Sequence, residues 1–391
     1  MDRPVTHAPA GFSFEALSRR PDVEAENLQA HDAADRLLLD TAAERLRTDP
    51  TGVVVVGDAY GALTLGAAAL YGARQIRVHQ DAYSGELALH NNAAAAGLAD
   101  AYRPLALDGG LLAGARTVLL RLPRSLDALE EIAGLIARHA DPEVIVYAGG
   151  RIKHMTTAMN TVLGRWFGTV SAGLARQKSR VLTVSAPLPA DRRPPLRFPA
   201  AQQHDVGLRA PLELRAYGAA FAGPSLDIGT RFLLPHLAGA RQAATAIDLG
   251  CGTGAIAAYL ALTRPEMQVA ATDQSAAAVA SAAETMAANG IADRVRVQRG
   301  DALAGFGDRS ADLVVLNPPF HIGASVHAGI ALKLFADAGR VLAPGGELWA
   351  VWNSHLAYKP ALNRLVGPTR EVARNPKFTV TVSTVTAGSL R

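Results

Sequence analysis

Apolar positions along this chain follow two alternating rhythms. Short runs rich in β-branched residues, at 52–56, 118–120, 245–250 and 313–316, lead into turns and then into Ala/Leu-rich stretches with helical spacing. Continuously apolar runs of this length fit strands covered on both faces, and the stretches between them fit the helices that cover a parallel sheet. The pattern is written twice. In the second half a strand over 245–250 enters a glycine turn at 250–254 and a helix over 255–263. In the first half a strand over 52–56 enters a turn at 57–61 and a helix over 62–71. The next strand ends in an acid in both halves, over 268–273 and over 75–81, and a later one runs into a four-residue turn after 316 and after 120. A nearly constant offset of this kind indicates internal duplication, and the expected fold is α/β with two tandem Rossmann-like sheets.

Between the halves, residues 185–209 hold Pro187, Pro189, Pro194, Pro195 and Pro199 and no apolar period, so they are expected to form a basic linker. Residues 1–20 are read as a flexible polar leader, 21–184 as the first α/β domain and 210–391 as the second. A length of 391 residues with 49% hydrophobic and 19% charged content suits two globular domains. Neither a membrane-length apolar stretch nor a basic-then-apolar leader is present, which points to a cytoplasmic protein without a membrane partner. The net charge of +4 is unevenly placed: residues 151–209 hold ten Lys/Arg against two Asp, or +8, leaving −4 for the rest. A basic stripe on a near-neutral chain is the footprint expected for a phosphate-backbone ligand. The one cysteine, Cys251, allows no internal disulfide and no thiolate-rich metal site, so no metal is expected.

The segment Asp248-Leu249-Gly250-Cys251-Gly252-Thr253-Gly254 joins the strand at 245–250 to the following helix. Glycines let the backbone approach a ligand closely, and the helix N-terminus behind them favours an electronegative group. Gly250, Gly252 and Ala255 also satisfy a dinucleotide pattern. Asp248 decides between the two: it suits the ammonium of a methionine moiety and would repel a pyrophosphate. Asp273, 25 residues on, closes the next strand with Gln274 beside it, where a carboxylate can bind ribose hydroxyls. Asp301 and Ala302 end the strand after that, with a carboxylate for an adenine amino group and an N–H for a ring nitrogen. The cofactor expected is S-adenosylmethionine.

Asn317-Pro318-Pro319-Phe320 ends the fourth strand of the second half. An aromatic amino group resists methylation because its lone pair is delocalised into the ring. The Asn317 side-chain carbonyl and the Pro318 backbone carbonyl can each accept one N–H and turn the lone pair toward a methyl donor. Proline stiffens the turn, and Phe320 can stack on the base. Adenine N6, glutamine amides and guanine N2 all remain open as acceptors, as does a non-catalytic RNA-binding or ribosome-assembly role. Pyrimidine C5 does not, because its methylation needs a cysteine under the base and Cys251 lies inside the glycine turn.

The chain resembles the tandem-domain ribosomal RNA guanine-N2 methyltransferases, and their large-subunit branch most of all, over nearly all of residues 21–391. The resemblance is carried by Ser225-Leu226-Asp227-Ile228-Gly229-Thr230-Arg231, the glycine turn, Asn317-Pro318-Pro319-Phe320-His321, Asn353-Ser354-His355 and Asn375-Pro376-Lys377-Phe378. In the first half it is carried by Asp58-Ala59-Tyr60-Gly61, Gly150-Arg151-Ile152-Lys153-His154 and Leu174-Ala175-Arg176-Gln177-Lys178-Ser179-Arg180. Ser354 and Ala357 depart from the family's basic residue and proline. The resemblance implies two class I methyltransferase domains, each a seven-stranded mixed sheet, with catalysis in the second and a degenerate first copy that presents RNA. It implies that Asp227, Gly229 and Thr230 join Asp248, Gly250, Gly252, Gly254, Asp273, Gln274, Asp301, Ala302 and Asn317 around the cofactor. RNA contacts fall to Arg124, Arg151, Lys153, Arg176, Lys178, Arg180, His321 and His355. The implied partner is ribosomal RNA, of the 23S type, naked or in an assembling subunit, bound by a monomer. In the degenerate copy Arg121 stands where Asn317 stands in the other, and is expected to meet phosphate.

Overall fold

The computed structural model describes residues 12–25, 28–318 and 324–386, with backbone alone for 324–328. The chain divides into two compact units, Met1–Arg197 and Phe198–Arg391. The first contains strands β1 (Val53–Val56), β2 (Ile76–His79), β3 (Tyr102–Pro104), β4 (Thr117–Arg121), β5 (Ile145–Arg151), β6 (Phe167–Ala172) and β7 (Ser179–Pro187). They form one sheet in the order β3-β2-β1-β4-β5-β7-β6. The second contains a hairpin of β8 (Ala200–His204) and β9 (Leu212–Ala216), followed by β10 (Thr245–Leu249), β11 (Gln268–Asp273), β12 (Val295–Arg299), β13 (Ala311–Leu316), β14 (Leu342–Asn353), β15 (Thr369–Arg374) and β16 (Phe378–Thr384). Its seven-stranded sheet runs β12-β11-β10-β13-β14-β16-β15, the same order strand for strand. In both sheets the last two strands in that order are antiparallel to their neighbours and the other pairings are parallel. These are tandem Rossmann-like domains.

Period-2 alternation feeds both faces of each sheet. In β10 and β13, Ala246, Leu313 and Val315 join one core cluster, while Ile247, Leu249, Val314 and Leu316 join another. In β1 and β4, Val54, Val56, Val118 and Leu120 face one way and Val53, Val55 and Leu119 the other. Helices bury each face, so the strands read as continuous apolar runs. Strand order reverses at β1/β4 and at β10/β13, and the crevice at the carboxyl ends of such a switch point is where ligands bind in this architecture.

Two expectations about the chain's joints are corrected. Residues 12–20 are no free leader: Phe12, Phe14 and Leu17 pack on the first core, and Ser18 exchanges hydrogen bonds with Asn92. The segment 185–209 holds the end of β7 and all of β8. Its hairpin partner β9 is fastened to the helix Ala276–Ala288 by bonds from Arg215 N to Thr285 Oγ1 (3.0 Å) and from Tyr217 N to Ser281 Oγ (2.9 Å). The strand was hidden in the sequence because its residues, Ala200-Ala201-Gln202-Gln203-His204, are mostly exposed and carry almost no apolar signal. Among the described residues no helix is long and apolar enough to cross a membrane.

Candidate active site

The site in the second unit is built on four strand ends, those of β10, β11, β12 and β13. After β10 the chain turns through Gly250, Gly252 and Gly254 with φ of +71°, +53° and +80°, conformations that only glycine adopts freely. A Cβ on Gly250 or Gly252 would meet nothing within 4 Å, so both glycines border open space. Gly254 differs: a Cβ there would lie 2.6 Å from Met286 Cε and 3.0 Å from Ala282 Cβ. Gly254 therefore also serves helix packing. Cys251 is buried, and burial raises its thiol well above the ordinary value, so it is no nucleophile.

Asp248 lies wholly beneath the turn. Its Oδ2 accepts from Ala257 N in the following helix at 2.9 Å, and its Oδ1 is buried without a partner. Burial pushes its carboxyl up to about 7, with Asp273 adding to the rise. Asp273 closes β11 and accepts from Gly252 N (3.0 Å) and Ser275 N (2.9 Å), which ties it to the glycine turn. The Gln274 carbonyl accepts from Arg299 Nε at 3.2 Å. At the next strand end Ala302 has a φ of +50°, and both oxygens of Asp301 accept from Lys333 Nζ at 2.6 Å. Lys333 carries no motif and could be found only from the fold.

Asn317 follows β13, the neighbour of β10 across the switch point. Its Nδ2 donates to Asp227 Oδ2 at 2.8 Å and to Thr230 Oγ1 at 3.0 Å. Asp227 is the N-cap of the helix Ile228–Leu233, where the same oxygen accepts from Gly229 N and Thr230 N. A carboxylate oxygen only accepts, so the amide orientation of Asn317 is set, and its Oδ1, buried and without a partner, is left as an acceptor. Gly229 keeps this contact uncrowded, since a Cβ would lie 3.1 Å from Asp227 Oδ2 and 3.3 Å from Phe378. Pro318 is buried beside it. Pro319, Phe320 and His321 lie outside the described residues. His355 is exposed just past the carboxyl end of β14, on the same edge of the sheet. Among the described residues no group of three or more His, Cys, Asp or Glu is placed to hold a metal ion.

The arrangement fits S-adenosylmethionine: open space over Gly250 and Gly252, carboxylates at successive strand ends, and an unpartnered oxygen on Asp248. Residues 211–382 match the family described as Methyltransferase small domain, and residues 7–188 match the RLMG N-terminal domain. The ribosomal RNA large subunit methyltransferase G of Pseudomonas aeruginosa is 39% identical over 368 residues, covering 93% of this chain and 96% of that protein. The protein of that name from Streptomyces coelicolor is 36% identical over 367 residues, at 93% and 96%. The chain belongs to the ribosomal RNA large subunit methyltransferase G family. Among solved structures, the T. thermophilus 16S rRNA N2 methyltransferase RsmC, in complex with AdoMet and guanosine, has the same fold. Its TM-score is 0.72 at 23% identity, covering 91% of this chain and 92% of that one.

The first unit has the same frame as the second, with the corresponding crevice occupied by its own side chains. Gly57 faces Arg121 Cβ at 3.3 Å where Gly250 faces space, and Ala59 replaces the middle glycine. Asp58 turns its carboxylate onto Gly61 N, Leu63 N and Thr64 N, filling the anion site at the helix N-terminus. Gln80 stands where Asp273 stands and donates to the Asp58 carbonyl. Gly61 keeps the packing role of Gly254, with Leu89 Cδ1 at 2.8 Å from a would-be Cβ. The N-cap contact is also kept. Asp32 caps the helix Ala33–Thr48 and reaches the residue at the carboxyl end of β4, as Asp227 reaches the one at the carboxyl end of β13. Here that residue is Arg121, whose guanidinium is bound to Asp32 at 2.8 Å and Asp35 at 2.6 Å. Arg121 is thus an internal ion pair and not a phosphate ligand, correcting the expectation for it.

The basic residues expected at RNA separate into two kinds. Arg176 is paired with Asp40. Arg124, Arg151 and Lys153 surround His154 at the carboxyl ends of β4 and β5, and burial together with these three cations holds its imidazole below the ordinary value. Lys178 and Arg180 continue the group, because Gly150 pairs with Arg180 and Ile152 N donates to the Lys178 carbonyl at 2.9 Å.

Proposed function

We propose that this chain methylates the exocyclic N2 of a guanine in large-subunit ribosomal RNA, with S-adenosylmethionine as methyl donor. The observation that carries this reading is the Asn317 amide. Its nitrogen is committed to Asp227 and Thr230, and its buried oxygen has no partner. S-adenosylmethionine supplies an electrophilic methyl group carried on a sulfonium. Asp273 would hold its ribose hydroxyls, Asp301 and Ala302 its adenine edge, and Asp248 Oδ1 its ammonium, directly or through a water. Asn317 Oδ1 accepts one N–H of the target amino group and the Pro318 carbonyl the other, which turns the nitrogen lone pair out of conjugation and along one line. The Asn317 acceptor is fixed before substrate arrives, so little reorganisation is left for the reaction itself. Phe320 stacks on the base and His321 and His355 contact its surroundings. Orientation and exclusion of water do the work, and no strong base is needed because the alkylated nitrogen releases its proton readily.

The first unit presents RNA through Arg124, Arg151, Lys153, Lys178 and Arg180, with Arg176 beside them. The RNA is of the 23S type, met in the cytoplasm by a monomer, since one chain carries both units. Incubation of large-subunit RNA with protein and methyl-labelled cofactor, followed by mass spectrometry of the nucleosides, tests the reading. Labelled N2-methylguanosine is expected; N6-methyladenosine, or label on protein alone, would refute it.

A further inference from the structure

The turn between β6 and β7 departs from an ordinary hairpin in two ways. Ala172 pairs with Leu182, and Arg176 with Ser179. Between these pairs Gly173, Leu174 and Ala175 lie on one strand, with only Arg180 and Val181 opposite. The extra residue makes a bulge, a device that re-aims a side chain. Here Leu174 is thrown outward and is 93% exposed. At the tip, Gln177 and Lys178 take the two central positions with φ of +48° and +59°, closed by 2.9 Å bonds in both directions between the Arg176 and Ser179 backbones. Asn-Gly or Gly-Gly would adopt this turn freely, whereas two long side chains hold it against their steric preference. Such positions mark places where the side chains themselves are wanted.

The surroundings identify what they face. Residues 173–180 contain no acid. Lys178 and Arg180, with the adjoining Arg151 and Lys153, form no ion pair among the described residues, in contrast to Arg176. An exposed leucine in the bulge, beside a turn that carries uncompensated cations, suits a polyanion that also offers flat apolar faces. That is RNA with an unstacked base, where phosphates meet the cations and a ring or ribose covers the leucine. We propose that the bulged hairpin 173–180 is an RNA-docking finger in which Leu174 packs on an unstacked nucleotide while Lys178 and Arg180 hold the flanking phosphates. This rests on the ribosomal RNA reading above and adds an apolar contact to it.

The test measures binding of the full chain to a large-subunit ribosomal RNA transcript over a salt series. Leu174→Ala should weaken binding about tenfold at every salt concentration, with the salt slope unchanged. Lys178→Gln with Arg180→Gln should lower the slope by about one to two units. Gln177→Asn with Lys178→Gly should raise the melting temperature by relieving the turn while weakening RNA binding, an opposition that a purely structural hairpin would not give. Wild-type affinity in Leu174→Ala overturns the finger. So does unchanged transcript affinity with lost co-sedimentation on ribosomal particles, which would place a protein partner on Leu174. Failure of the wild-type chain to bind the transcript at all would instead remove the RNA reading beneath it.

Discussion

Asp227 performs two tasks with one oxygen: it caps a helix and it aims Asn317. Removing it should free the amide to rotate and present N–H where an acceptor is needed. Asp227→Ala is expected to lower kcat about 10–100-fold with a smaller change in KM for RNA, because a misplaced acceptor harms the transition state more than encounter; steady-state kinetics on the RNA substrate read both. Asp248 predicts a pH dependence. Its folded carboxyl sits near 7, above the unfolded value near 4, so between these the folded state holds the extra proton and stability falls as pH rises through the window. A bound ammonium favours the ionised form, so cofactor affinity should rise from pH 6 to pH 8, and Asp248→Asn should be weaker and nearly flat. Calorimetry of cofactor binding across that range checks it, and a flat wild-type profile would contradict the role. Asp248, Asp273 and Asn317 were legible in the sequence because each stands at or beside the carboxyl end of an apolar run. The N-cap link from residue 227 to residue 317 was not, since ninety residues separate its ends and only the fold brings them together.

At the scale of elements, the three glycines after β10 looked equivalent in sequence and are not. Gly252→Ala would fill open space at the turn, so it should impair cofactor binding more than stability. Gly254→Ala would strike Met286 and Ala282 on the helix Ala276–Ala288, so it should lower stability by about 1–3 kcal/mol. Melting curves together with cofactor titration separate the two, and equal effects on both readouts would refute the division. Strands with alternating or continuous apolar runs were readable. β8 and the bulge before Arg176 were not, because an exposed strand and an extra residue in a hairpin leave no hydrophobic period behind.

For the molecule as a whole, duplication kept the frame and divided the work. Both sheets have one strand order, both retain a packing glycine at the start of the helix that follows β1 or β10, and both join an N-cap aspartate to the residue at the carboxyl end of β4 or β13. In the first unit an arginine satisfies that aspartate and Asp58 fills the helix N-terminus, so the cavity is closed from within. The sequence revealed the missing glycine and asparagine, but what replaced them became visible only in three dimensions. Arg121→Ala would leave Asp32 and the buried Asp35, whose carboxyl burial pushes up to about 7, without their cation. A loss of about 3–5 kcal/mol in the first unit is expected, read by chemical unfolding, with cofactor affinity of the second unit unchanged; a wild-type unfolding midpoint would contradict it.

The measurement closest to the centre of this account is single-turnover methyl transfer to large-subunit RNA by Asn317→Ala, paired with cofactor affinity on the same sample. Turnover should fall about 10²–10³-fold, as for loss of a preorganised polar group at a reacting centre, with cofactor affinity within about threefold of wild type, a difference of about 0.7 kcal/mol. Turnover within tenfold of wild type, or cofactor affinity falling in step with turnover, would contradict this account.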